Sequence, residues 1–210
     1  VQPLSVSPSQ IDAEQGERHR RDDAREDEPT DKPSQQRTIA TAVGELVHLV
    51  LEQLDFGLPM ADQIVGSTER ALAQMMEQLP SEHMAEIFES AHDALSRFAQ
   101  TPLAEEFRHL EIVARELAFT CPSSWLDPNS SARMGTGFID LIYRRGDGRL
   151  VVADWKVTSE TRHEELIERY QHQLEAYRRV VQKLCPDETI ETELILVRSG
   201  ERLVLSHRSL

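Results

Sequence analysis

The sequence is short of cysteine, aromatic residues, basic charge and long apolar runs. Its two cysteines, Cys121 and Cys185, are too few for a four-thiolate zinc or iron–sulfur site and do not make a disulfide scaffold. No apolar run approaches the ~20 residues of a membrane-spanning helix, so no membrane partner is expected. There is no G-x-x-x-x-G-K-S/T phosphate loop, which excludes a helicase motor of that type within these 210 residues. No charged-then-apolar leader is visible, and the expected compartment is a reducing cytoplasm. The first residue is not methionine, which hints at a fragment of a longer chain. Lys and Arg number 23 against 37 Asp and Glu, a formal charge of −14. A chain this acidic is not expected to hold nucleic acid through its overall field.

The acidity is unevenly spread. Residues 38–110 carry 3 basic and 12 acidic side chains, whereas residues 111–156 carry 6 of each. The acidic part reads as helical and the balanced part as strands. Residues 1–11 contain Leu4, Val6 and Ile11, enough for a short docked strand or an extended arm. Residues 12–36 have almost no large apolar groups and read as a solvated linker. The expected division is therefore an arm and linker over 1–37, largely disordered, and one domain over 38–210. Within that domain, 38–110 is the helical part and 111–210 the α/β core.

From about Thr38 a helical period begins, with Val43, Leu46, Val47, Val50, Leu51 and Leu54 on one stripe. Gly57 and Pro59 end it. Further helices are expected over 60–79 and 81–99, the latter capped at Ser81, with another short turn opening at Thr101-Pro102. A strand follows over 110–120, then a loop containing Pro122, Ser123, Pro128 and Asn129. Strands 136–143 and 149–156 flank Arg145-Gly146-Asp147-Gly148-Arg149, a hairpin signal. An amphipathic helix over 163–184 and strands over 190–197 and 202–206 complete the pattern. This order predicts an α/β fold: a mixed sheet flanked by helices, with a helical layer in front.

The hairpin carries the chemistry. A three-residue loop at Gly146-Asp147-Gly148 pairs positions whose numbers sum to 294, which sets Asp140 opposite Asp154. Opposed residues share a face with Cβ atoms ~4.5–5.5 Å apart. Lys156, two residues on, points the same way. Two facing carboxylates destabilise a sheet unless something neutralises them, and a hard divalent cation such as Mg²⁺ takes oxygen ligands of this kind. The alternative is a plain Asp–Lys ion pair at a strand end. Gln173 and Tyr177 lie at i, i+4 on one side of the last helix. His48 lies off the apolar stripe of the first helix, either as a surface histidine or as a ligand.

Four elements stand in order: Gly44-Glu45-Leu46-Val47-His48, Gly137-Phe138-Ile139-Asp140, Val152-Ala153-Asp154-Trp155-Lys156 and Gln173-Leu174-Glu175-Ala176-Tyr177. Together they resemble the RecB-like branch of the PD-(D/E)XK nucleases, and most of all the C-terminal nuclease domains of RecB and AddA. The resemblance covers about residues 38–206 and implies a restriction-endonuclease-like fold. It implies Asp140, Asp154 and Lys156 as catalytic residues. The metal ligands would be His48, Asp140, Asp154 and the Trp155 backbone carbonyl, with Glu116 a further candidate. Gln173 and Tyr177 would support the site and the DNA. The implied activity is Mg²⁺-dependent hydrolysis of DNA phosphodiester bonds, with Mn²⁺ as a substitute, and the implied partner is a helicase domain or subunit in double-strand-break repair. Iron–sulfur branches of the family use four cysteines and do not fit. Arg133, Arg144, Arg145, Arg149, Arg178, Arg179 and Lys183 are candidates for a positive rim. Two other readings stay open: an inactive module docking on a helicase through its acidic helices, and an RNA-directed nuclease of the same fold.

Overall fold

The computed structural model describes residues 5–6, 32–76, 81–127 and 132–205. The first strand, β1 (Ser5–Val6), lies parallel to the start of β3. Three helices follow: α1 (Lys32–Gln53), α2 (Ile64–Met75) and α3 (Met84–Phe98). Then come the short α4 (Pro102–Phe107), the long β2 (Glu111–Pro122) and a single turn, α5 (Ser123–Leu126). The chain ends with β3 (Met134–Arg144), β4 (Leu150–Lys156), α6 (His163–Leu184), β5 (Ile190–Leu196) and β6 (Glu201–Leu205). The sheet has six strands and is mixed: β4 and β5 run parallel, while the β2–β3, β3–β4 and β5–β6 pairs are antiparallel. Among the described residues no helix is long and apolar enough to cross a membrane.

Two cores sandwich this sheet. The stripe Val43, Leu46, Val47, Val50 and Leu51 of α1, with Leu54 just beyond its end, packs with residues of α2, α3 and α4 against Leu141, Tyr143, Val151, Ala153 and Trp155. Each fully buried aliphatic side chain there is worth about 1.5–3 kcal/mol of transfer free energy. On the other face, Leu166, Leu174, Tyr177 and Val181 of α6 cover Ile142, Leu150, Val152, Leu194 and Leu196. Alternation of odd and even positions along β4 thus feeds both cores, which is why its sequence reads as an unbroken apolar run.

The expected hairpin register is present. Leu141 faces Ala153, Ile142 Val152, Tyr143 Val151 and Arg144 Leu150, all on the 294 line. The loop is closed by the Arg145 N–H donating to the Arg149 carbonyl at 2.9 Å, and Gly148 takes φ +89°. A three-residue loop of this form needs a left-handed residue in the glycine's place.

Several boundaries differ from the sequence pattern. The first helix starts at Lys32 rather than Thr38, because Pro33 and the polar run behind it are compatible with a first helical turn even without apolar period. The residues of the expected arm and linker at 1–4 and 7–31 lie outside the described residues. The helix expected over 60–79 is a 3-10 turn, Met60–Asp62, followed by α2; positions 77–79 lie outside the described residues. Gln63 causes the break: its amide accepts from the Asp55 N–H at 2.9 Å and donates to the Asp55 carbonyl at 2.8 Å, pinning the connection. Ser81 opens a 3-10 turn rather than capping α3, whose N-cap is His83 without a side-chain bond. Thr101 does cap α4, accepting from the Ala104 N–H at 3.2 Å with Pro102 beside it. The loop expected after β2 contains the turn of α5, and positions 128–131, with Pro128 and Asn129, lie outside the described residues.

Candidate metal and catalytic site

Three neighbouring strands each bring one carboxylate to the same row. Leu141 pairs with Arg115 and Ile139 with Leu117, so Glu116 on β2 stands opposite Asp140 on β3. Asp154 on β4 is the next position on the other side of Asp140. The β3–β4 ladder stops one step short, at Leu141 and Ala153. There the Asp140 carboxylate itself takes over, with Oδ2 accepting from the Trp155 N–H at 2.8 Å.

The row is also where the sheet changes face. Leu141 and Tyr143 belong to the core under the N-terminal helices, but Ile139, Leu117 and Phe119 belong with α6. Glu116 sits at the crossing with φ +42°, the one positive φ at a non-glycine among the described residues. Such a conformation costs about 1–3 kcal/mol and persists where surrounding structure enforces it. The crossing lets Glu116 and Asp140 face a helix on the opposite layer from α6.

That helix is α1, and its contribution is His48. His48 Nε2 lies 3.0 Å from the Trp155 carbonyl oxygen. Its Nδ1 lies 3.4 Å from Asp140 Oδ2 and 4.0 Å from Glu116 Oε1. A ligand atom from each of His48, Glu116 and Asp140 falls within 4.8 Å of the others. The Trp155 carbonyl is an acceptor, so Nε2 must carry a proton there, which leaves the Nδ1 lone pair aimed at two carboxylates. Histidine ligands of metals are commonly oriented in this way, by the second ring N–H donating to a carbonyl.

The charges fit a cation. Burial first, and then the adjacent Asp154, push the Asp140 carboxyl well above the ordinary carboxylate range, against the opposing pull of Lys156. Burial and the nearby Asp140 push Glu116 up to about 7. Burial lowers His48 despite its acidic neighbours, so its neutral, ligating form is favoured. Asp154 points to the other partner, Lys156, with Oδ2 and Nζ 2.5 Å apart. Apart from this ion contact, Asp154 Oδ2 has no hydrogen-bond partner among the described residues. Burial opposes the Lys156 charge, but Asp154 and Asp140 outweigh it and hold the ammonium protonated. A divalent cation bound here would offset the charge of all three carboxylates at once, and carboxylate oxygens with an imidazole nitrogen are donors that such ions take.

Of the positions expected from sequence, His48, Glu116 and Asp140 come together directly, and Asp154 with Lys156 stands beside them. The Trp155 carbonyl is turned to His48. Gln173 and Tyr177 lie further back, where the Gln173 amide donates to the Tyr177 hydroxyl at 2.9 Å within the second core. Burial raises the Tyr177 hydroxyl far above its ordinary range, so it stays a neutral packing group. Tyr170 was not singled out from sequence: Lys156 Nζ sits 4.6 Å above its ring. The signal was available, since Tyr170, Gln173 and Tyr177 share one face of α6 at i, i+3, i+7. The expected positive rim is mostly spent on ion pairs. Arg144 pairs with Glu188 and Glu111, Arg145 with Glu191 and Glu193, Arg149 with Asp147 and Glu191, and both Arg178 and Arg179 with Glu175.

The Glu116 shift has a measurable sign. A carboxyl raised from 4.5 to about 7 on folding binds a proton in the folded state that the unfolded chain has lost. Metal-free stability therefore falls as pH climbs through that window. A tenfold displacement is ~1.4 kcal/mol. With the carboxyl partly solvated, roughly 1–3 kcal/mol is at stake. In EDTA, Glu116→Gln should match the wild type in Tm near pH 4.5 and exceed it by several degrees at pH 8. An equal gap at both values would show that Glu116 is not held in its neutral form.

A profile of the PD-(D/E)XK nuclease superfamily matches residues 17–204 of the chain. No curated protein is similar enough to count as a match. Members of that superfamily are generally metal-dependent nucleases, and the mixed α/β sheet and the His/Glu/Asp cluster are consistent with that. The chain belongs to the PD-(D/E)XK nuclease superfamily.

Proposed function

We propose that this domain is a Mg²⁺-dependent deoxyribonuclease, acting as an exonuclease within a helicase–nuclease of double-strand-break repair in the cytoplasm. The observation that carries the nuclease reading is the convergence of His48, Glu116 and Asp140 donors within 4.8 Å of one another, beside the Asp154–Lys156 pair. Asp140, Glu116, Asp154 and His48 would hold the ion. Once bound, a divalent cation lowers the pKa of a water and offsets charge building on the phosphate. The protein's own groups do the rest. Lys156, charged and leaning on Asp154, holds the attacking water and meets the negative charge that develops on the phosphate oxygens. Trp155 fixes both layers from its backbone, through the N–H on Asp140 and the carbonyl on His48. Tyr170 closes one side of Lys156 against water.

The finer reading rests on the resemblance to RecB and AddA domains and on the surface charge. With most arginines paired, the domain has little basic surface with which to hold DNA alone, which favours delivery by a DNA-bound helicase domain or subunit. End-labelled linear DNA, single- and double-stranded, incubated with the protein and Mg²⁺ or Mn²⁺, should be shortened from an end, and EDTA should stop it. Closed circular DNA should resist. Protein inert with both metals on DNA and on RNA would sink the enzyme reading and favour a docking module; cleavage of RNA alone would reassign the substrate.

A further inference from the structure

Beyond the Glu116–Asp140 crossing, β2 and β3 leave the body of the sheet as a ribbon. Its odd positions, Leu117, Phe119 and Ile139, pack towards α6, with the Phe119 and Tyr177 rings 6.1 Å apart. Its even positions therefore face the other way, the side from which α1 brings His48. These even positions form three directly opposed pairs: Ala118 with Phe138, Thr120 with Thr136 and Pro122 with Met134. All six are exposed, Phe138 by 59% and Met134 by 41%. None carries a charge. Arg133, at the far end beside Met134, is exposed and has no carboxylate partner among the described residues, unlike Arg144, Arg145, Arg149, Arg178 and Arg179. The face is continuous with the carboxylate row, because Phe138 and Ala118 are each two residues from Asp140 and Glu116.

A large exposed phenylalanine on a flat strand face costs solubility and does nothing for either core. Sheet faces that carry aromatics in the open are a recurring way to bind unpaired bases, which stack on the ring whatever their sequence. We propose that this face of the β2–β3 ribbon is a stacking platform for an unpaired strand, with Phe138 holding a base next to the scissile phosphate and Arg133 meeting a phosphate further along. The inference rests on the nuclease reading and names its substrate as single-stranded or frayed nucleic acid. Two residues of strand advance about 6.8 Å. A stacked strand rises 3.4 Å per nucleotide. The base on Phe138 is thus one or two nucleotides from the phosphate at Asp140. Neutral threonines and alanine between the two anchors give no base-specific hydrogen-bond pattern, so the platform is indifferent to sequence. An apolar protein segment would offer Arg133 no counter-charge, whereas a strand of phosphates does.

The test compares wild type, Phe138→Ala and Phe138→Tyr in Ca²⁺, measuring affinity for an oligo-dT strand and for a blunt duplex of equal length. Stacking is worth ~1–3 kcal/mol per base, so Phe138→Ala should bind oligo-dT roughly 5- to 150-fold more weakly, with duplex binding and Mn²⁺ affinity unchanged and Phe138→Tyr near wild type. A 2-aminopurine placed near the cleaved end should be quenched on binding by the wild type and not by Phe138→Ala. Equal losses on both substrates, or no loss on oligo-dT, overturn the platform. A concentration-dependent dimer abolished by Phe138→Ala also overturns it, in favour of a second copy. If the wild type cleaves duplex while Phe138→Ala is unaffected on either substrate, the platform fails and the nuclease reading stands. Absence of any cleavage by the wild type is instead the failure of that reading.

Discussion

Replacing Lys156 by alanine should lower cleavage about 10²- to 10⁴-fold without weakening Mn²⁺ binding. The lysine is a cation beside three carboxylates, so its removal leaves a more negative site, and metal affinity should hold or rise. Stability in EDTA should move the other way. Asp154 is almost wholly buried, and among the described residues its one close cation is Lys156 at 2.5 Å. Breaking a buried pair from one side typically costs about 3–5 kcal/mol. Added Mn²⁺ should recover part of that loss by taking the lysine's place as counter-charge. This pattern separates a lysine that acts in the reaction from one that merely neutralises Asp154. In the second case the metal-loaded alanine variant would be stable and cleave at the wild-type rate, which would remove Lys156 from the mechanism. Lys156→Arg sharpens the comparison: it keeps the charge but substitutes a broad planar fork for a compact ammonium above Tyr170. It should preserve stability better than alanine and still cleave slowly.

What could be read from the residues depended on how local the determining physics was. The pairing line through Asp140 and Asp154 followed from loop length, because a three-residue loop with glycine at its left-handed position leaves a single parity, and Leu141 indeed faces Ala153. Helix α6 was bounded at His163 and Leu184 by its own period and by Pro186. The four strands from β3 onward are placed to within about two residues for the same reason. Signals that involve two distant segments were not legible. Nothing near Gln63 announces that its amide reaches back to Asp55 and splits the expected helix. Nothing in Arg115-Glu116-Leu117 announces a φ of +42°, or that both strands change face there. Arg144, Arg145 and Arg149 read as a DNA-facing rim because their partners Glu188, Glu191 and Glu193 lie more than forty residues away on the other side of α6, whereas the pairing of Arg178 and Arg179 with Glu175 is local, at i, i+3 and i, i+4. The same distance hid a buried cluster in which Tyr143 donates to Glu193 at 2.6 Å while Arg145 and Arg202 neutralise that carboxylate. Its place at the hairpin end of the sheet explains why those cations are structural. Chemistry at the carboxylate row draws on the opposite ends of the same strands.

Trp155→Ala should be the most damaging single substitution to both fold and site. The indole is 3% exposed and lies at the meeting point of α1, α3, α4 and the sheet. Its ring centroid is 5.5 Å from that of Phe107, 5.7 Å from Phe98 and 6.3 Å from Phe56, the last two in edge-to-face geometry. Truncating a buried aromatic of this size costs about 3–5 kcal/mol. For a domain of this length each kcal/mol is ~2–4 °C of Tm, so a fall of roughly 6–20 °C is expected. The second effect comes from the backbone. Trp155 N–H holds Asp140, and its carbonyl holds His48 Nε2 at 3.0 Å. Alanine has the same two backbone groups, so a static picture predicts an unchanged site. The ring, however, fills the core shared by β4 and the N-terminal helices, and a cavity there lets the strand and those helices shift relative to one another. Disturbing such outer supports commonly costs 10- to 100-fold in metal affinity, and Mn²⁺ affinity measured well below the lowered Tm should fall by that order. Trp155→Phe keeps most of that filling, with a smaller loss in Tm and Mn²⁺ binding close to wild type. A Trp155→Ala protein that melts early but binds Mn²⁺ as tightly as the wild type would show the core and the candidate metal site to be independent. It would leave Asp140 and His48 positioned by their own strands and helix rather than by the aromatic cluster beneath them.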